Sequence, residues 1–155
     1  MMTAMDIFRS YAGHGERIED LEEMIRRREA VATGGTARPS SPDGGSRSSG
    51  DASMRLLDYV GNIEGLREEL RTSRVAMEEE ADCALYLTEM LPEPLGGVMA
   101  RTYLEGKSAR EVAEEMGYSV SHVKRRRREA EKLCQGVRIL SWDRKHVPVI
   151  GMPEG

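Results

Sequence analysis

The sequence predicts an all-α protein: a long N-terminal helical hairpin of coiled-coil character, followed by a C-terminal helix-turn-helix. Three observations carry this prediction. Glu, Arg, Leu, Met and Ala are abundant against one Phe, one Trp and five Tyr, a composition that favours helices over strands. Apolar residues recur at threes and fours over two long stretches. A capped segment at Ser108 leads through Gly117 into a basic run. With 39% apolar and 32% charged residues in a chain of 155, an elongated helical arrangement is expected rather than a thick core.

The elements follow in order. Residues 1–32 hold a first helix, with Ile18, Leu21, Met24, Ile25 and Val31 on one face among Glu and Arg. Gly13 and Gly15 weaken its backward extension, so the helix is expected from Glu16, with Met5 to Tyr11 as a separate turn or a frayed start. Residues 33–51 contain five Gly, five Ser and two Pro with no apolar period, the composition of a flexible linker. Residues 52–91 form a long helix whose heptad seam runs through Leu56, Tyr59, Ile63, Leu66, Leu70, Ser73, Met77, Glu80, Ala84, Leu87 and Leu91. At about 1.5 Å per residue the second helix would be roughly twice as long as the first. An antiparallel hairpin is therefore expected to leave part of the seam for a partner chain, a homodimer being the simplest. The alternative is that Gly61, Gly65, Ser73 and Glu80 divide the segment into shorter pieces.

Residues 92–135 form the C-terminal domain. Pro92 and Pro94 end the long helix and start the next, which buries Leu95, Val98, Met99, Tyr103 and Leu104. Gly96 and Gly97 would each cost that helix about 1 kcal/mol relative to Ala. Met77, Met90, Met99 and Met116 read as core filler. In the tail, residues 136–155, Trp142 and Val147-Pro148-Val149-Ile150 are the only apolar cluster, either docked or mobile.

Ser108 and Glu111 have the spacing of a capping box, Val112, Ala113 and Met116 share one side, and Gly117 suits a left-handed helix end. Ser119 can cap a following helix, and Val123 supplies the contact across the angle. Although the net charge is -4, residues 120–138 carry seven positive against two negative side chains, a local +5 that leaves -9 on the remainder. A basic second helix after a tight turn is the arrangement that enters the DNA major groove by its leading end. Ser121, His122 and Arg125 are the candidates for base edges; Lys124, Arg127, Arg128 and Lys132 are the candidates for phosphates. Taken alone, a run such as Lys124 to Arg128 would be a solvated helix face or a nonspecific polyanion patch.

The segment GKSAREVAEEMGYSVSHVKRRRREAEKL resembles region 4 of bacterial sigma factors. With the preceding LPEPLGGVMARTYLEG and the upstream hairpin with its Ser-rich insert, the layout resembles phage sigma-region-4-like regulators of the ArpU and RinA type. The resemblance implies a sequence-specific transcription regulator of phage or prophage late genes that binds double-stranded DNA, with host RNA polymerase as a further partner. Three positions depart from the family pattern: Thr102 stands where Arg is usual, Ala109 where an aromatic is common, and Arg126 where an apolar core residue is expected. The first half shows nothing like the additional domains of a complete sigma factor.

No enzyme, metal or cofactor is expected. Cys83 and Cys134 are far apart, His14, His122 and His146 are dispersed, and no nucleophile stands with a base. The acidic run Glu78, Glu79, Glu80 and Asp82 reads as a solvated helix face. No apolar run is long enough to span a bilayer and no leader is visible, so a cytoplasmic, non-membrane protein is expected. Two other functions fit the same elements: a DNA-packaging component similar to a small terminase subunit, or a coiled-coil interaction module contacting RNA polymerase.

Overall fold

The computed structural model describes residues 1–32 and 49–153, with side chains from 62 onward in the second stretch. The fold is all-α apart from one small hairpin. Its elements are α1 (Ala4–Ala32), α2 (Ser49–Met90), α3 (Leu95–Met99) continued by a π-helical turn (Ala100–Leu104), α4 (Ala109–Met116), α5 (Val120–Gly136), β1 (Arg138–Ser141) and β2 (Val149–Gly151). Residues 33–48 of the expected linker lie outside the described residues, and Ser49 to Asp51 already belong to α2.

Helix α1 begins at Ala4 and runs unbroken through Gly13 and Gly15, where the sequence suggested a start at Glu16. A reciprocal cap holds its first turn: Thr3 N–H donates to Asp6 Oδ2 at 2.8 Å, and Asp6 N–H donates to Thr3 Oγ1 at 3.3 Å. Ala4, Met5, Ile7 and Phe8 are buried. Burying those four side chains outweighs the helix cost of two glycines, about 1 kcal/mol each. Helix α2 is likewise continuous past Gly61, Gly65, Ser73 and Glu80.

The described residues form two compact units, Glu16–Arg74 and Met1–Gly15 with Val75–Gly155. In the first, Leu21 and Ile25 of α1 bury against Leu66 and Leu70 of α2, with Ile18 and Met24 at the margin. Arg17 pairs with Glu69, Arg74 with Glu22 and Arg67 with Glu29, all roughly half exposed. Such exposed pairs contribute at most about 1 kcal/mol each, so the apolar seam carries the packing.

In the second unit the start of α1 and the end of α2 share a core with α3, α5 and β1: Met5, Phe8, Cys83, Ala84, Leu87, Leu91, Met99, Ala130, Cys134, Val137 and Ile139. The seam positions from Ile63 to Leu91 are thus buried or half-buried within the chain. Because α1 reaches back to Ala4, it covers the part of α2 that was expected to await a partner; Leu56 and Tyr59 lie outside the described side chains. The homodimer expected along this seam draws no support from its described positions.

Gly96 marks a close approach in this unit. A Cβ there would lie 2.4 Å from the carbonyl oxygen of Thr88, at the end of α2. Its lack of a side chain lets α3 cross that backbone, whatever it costs in helix propensity. The π-helical turn that follows, closed by Glu105 N–H on Ala100 O at 3.0 Å, places the Tyr103 ring 5.9 Å from Phe8.

The tail is a docked hairpin. β1 pairs antiparallel with β2, Ile139 opposite Ile150, with an irregularity between Ile139 and Ser141. Its other edge meets the N-terminus: Ala4 N–H donates to Val137 O at 2.8 Å and Ile139 N–H to Met2 O at 2.9 Å. Asp143 accepts the Lys145 and His146 N–H groups and the His146 ring, which hold its carboxyl down at about 2.

Candidate nucleic-acid interface

The candidate site is built on α4, a three-residue turn and α5. Ser108 Oγ accepts the Glu111 N–H at 3.2 Å while the Glu111 carboxylate reaches back to the Ser108 N–H at 3.5 Å, so α4 starts on a complete capping box. Gly117 ends it at φ 72°, a left-handed conformation that side-chain-bearing residues rarely adopt. Tyr118 N–H returns to Ala113 O at 3.0 Å, and Ser119 Oγ accepts the His122 N–H at 3.1 Å to open α5.

Val98, Val112, Ala113 and Val123 are buried together, with Ala109 and Met116 packed against them. Three helices meet there, and Ala113 is small enough to let α5 close on α4. Farther along α5, Ala130 and Cys134 bury into the main core. Val123, Ala130 and Cys134 therefore fix one side of α5 inward.

Helical geometry then decides the rest. Ser121, Arg125, Arg128 and Lys132, spaced at four, three and four residues, form one stripe on the side opposite that inward line, and all four are exposed. Among the described residues no ion pair engages Arg125, Arg128 or Lys132, nor Lys124, which lies exposed on the flank of the stripe.

Two of the arginines behave differently. Arg127, a candidate for phosphate, lies half-buried on the inner side, where its guanidinium pairs with Glu131 at 3.3 Å; Glu131 also accepts from the Tyr103 hydroxyl at 3.3 Å. That carboxylate draws its charge away from the exposed stripe, so Arg127 does not join it. Arg126 occupies a position where an apolar residue was expected, and the structure accommodates it by directing its head outward to Glu129 at 3.0 Å. The stem lies half-buried while Val123 and Ala130 fill the core.

His122 is half-buried beside the stripe. Its ring meets the Tyr118 ring edge-on with centroids 4.5 Å apart, and Arg125 Nη2 lies 3.0 Å from its Nδ1. Arg126 Nε approaches its Nε2 at 3.4 Å.

Arg110 escaped the sequence reading. It is exposed on α4, outside the apolar set Ala109, Val112, Ala113 and Met116, and among the described residues makes no ion pair. The same helical period that found the buried face locates it. By contrast Arg101 and Lys107 are both held by Glu115, whose carboxyl the Lys107 ammonium keeps below its ordinary range.

A second polar cluster lies in the core at the junction of α1 and α2. Ser10 Oγ donates to Glu80 Oε1 at 2.7 Å, and His14 Nε2 lies 3.4 Å from Ser10 Oγ and 3.5 Å from Glu80 Oε1. Glu80 was read as part of a solvated face, yet it is only 5% exposed, and its Oε2 has no partner among the described residues. The Ser10 hydroxyl donates to the carboxylate and one imidazole nitrogen faces both, so the three side chains form a single hydrogen-bonded cluster. Among the described residues no group of three or more His, Cys, Asp or Glu is placed to hold a metal, and no helix is long and apolar enough to cross a membrane.

No known protein family, curated protein or solved structure matches the chain.

Proposed function

We propose that this chain is a non-catalytic regulator of transcription that binds double-stranded DNA by placing the leading turns of α5 in the major groove. The observation that supports this most is the stripe Ser121, Arg125, Arg128 and Lys132: three cations without ion partners among the described residues, on the side of α5 away from its buried line. A helix presented in this way after a capped turn is the helix-turn-helix arrangement, and unpaired cations are what phosphate neutralisation requires. Arg125, nearer the leading end, can read guanine with two hydrogen bonds; Arg128, Lys132 and Lys124 suit phosphates, as does Arg110 on α4. Likeness to phage sigma-region-4-like regulators supplies the expected setting, control of late genes in a host bacterium's cytoplasm, with RNA polymerase as a second partner.

Selection of bound duplexes from a random pool, followed by salt titration, tests the proposal. Arg125→Ala should relax preference at about one base pair, whereas Arg128→Ala should weaken binding to every sequence alike and lower the salt slope by about one. Small, equal effects of both changes on all duplexes would favour a protein-interaction module instead. A ring-sized oligomer in solution would favour the packaging component.

A further inference from the structure

We propose that His122 is a positioning residue for Arg125, braced by the Tyr118 ring, and that this pair of rings sets how sharply Arg125 discriminates its base pair. The inference rests on the DNA-binding reading above and deepens it.

A free arginine on a helix surface samples many rotamers, and ordering it costs up to about 2 kcal/mol of side-chain entropy. Here the guanidinium is already engaged, with Arg125 Nη2 3.0 Å from His122 Nδ1. The imidazole is itself held, since its ring meets Tyr118 edge-on and its backbone N–H is fixed by Ser119 Oγ. Tyr118 in turn is anchored through its N–H to Ala113 O in the turn. Two guanidinium groups approach the ring, but a neutral imidazole has one lone pair and accepts one hydrogen bond. Arg126 has Glu129 as a second acceptor at 3.0 Å, whereas among the described residues Arg125 has no other. The tautomer with its lone pair on Nδ1 gives Arg125 its acceptor on His122 and leaves Arg126 to Glu129, at the loss of the longer 3.4 Å contact between Arg126 Nε and Nε2, which then carries the proton. In that form His122 presents Arg125 and does not itself read a base through Nδ1.

The test compares the wild type with Arg125→Ala, His122→Ala, His122→Gln and the double variant Arg125→Ala/His122→Ala. Each is measured on the selected duplex and on duplexes changed at one base pair. His122→Ala should lower discrimination about two- to tenfold, the worth of one net hydrogen bond. The loss should fall at the same base pair as that of Arg125→Ala, with the salt slope unchanged, and the double variant should lose no more than Arg125→Ala alone. His122→Gln, which keeps an acceptor, should recover part of the loss. If His122→Ala acts at a different base pair, or multiplies with Arg125→Ala, His122 reads its own base and the positioning role is overturned while DNA reading stands. If the wild type shows no salt-dependent binding to any duplex, both fall together.

Discussion

At Gly96 a single missing Cβ decides whether two helices can meet. A methyl group there would stand 2.4 Å from Thr88 O, a backbone atom that cannot swing away. Gly96→Ala should therefore lose about 1–3 kcal/mol, read as a shift in urea midpoint. Gly97→Ala makes the internal comparison: its Cβ would meet side-chain ends alone, those of Arg101 and Met116 at 3.0 and 3.3 Å and of Glu93 at 3.9 Å. Those flexible ends can move, so the change should be small or favourable. The sequence marked the two glycines as equal costs to one helix. They differ because only one faces the backbone of another.

At the scale of the element, α4, its turn and α5 were the most legible part of the chain. Each boundary is set by local chemistry: Ser108 with Glu111 at the start, Gly117 at φ 72° at the end of α4, and Ser119 at the start of α5. Ser108→Ala should remove about 1 kcal/mol of stability and speed amide exchange at Glu111. An unchanged exchange rate there would mean that packing of Val112 and Ala113 alone holds the turn. The partition of the basic run was less legible. Arg127 and Arg128 are adjacent and chemically identical, yet one is paired with Glu131 and the other exposed, because Val123, Ala130 and Cys134 fix the rotation of α5. Helical period already puts Arg127 and Glu131 four residues apart on one side; it does not say that the Tyr103 hydroxyl reaches the same carboxylate. The start of α1 was missed for a related reason, since two glycines signal a break locally and the buried Met5, Ile7 and Phe8 override it.

At the scale of the whole chain, the residues that carry α5 come from both ends of the sequence. Phe8 is fully buried against Tyr103, and the backbone at Met2 and Ala4 bonds to Ile139 and Val137 just beyond α5. Phe8→Ala should cost about 3–5 kcal/mol and weaken DNA binding although it lies far from α5 in sequence. Calorimetry with a binding titration measures both; binding retained with a large loss of stability would show that α5 keeps its place without this core. The two thiols report on the same core. Burial raises Cys83 from 9.0 to about 11 and Cys134 to about 12, with Glu80 and Glu131 adding to the respective shifts. The unfolded chain releases these protons near pH 9 while the folded chain keeps them, so stability should be level below pH 9 and fall as pH rises toward 11 and 12. Urea midpoints at pH 8 and pH 10 measure the fall, and thiol labelling at pH 8 should be slow until the chain unfolds.

The sequence by itself determined the helical class and the places where α4 and α5 start, because caps and left-handed glycines act within a few residues. Tertiary structure alone decided that α1 begins at Ala4, that Gly96 is required, and that the tail is a hairpin bonded to the N-terminus. Each of these depends on which distant residue arrives as a neighbour, and burial energies of several kcal/mol outweigh local preferences of about one.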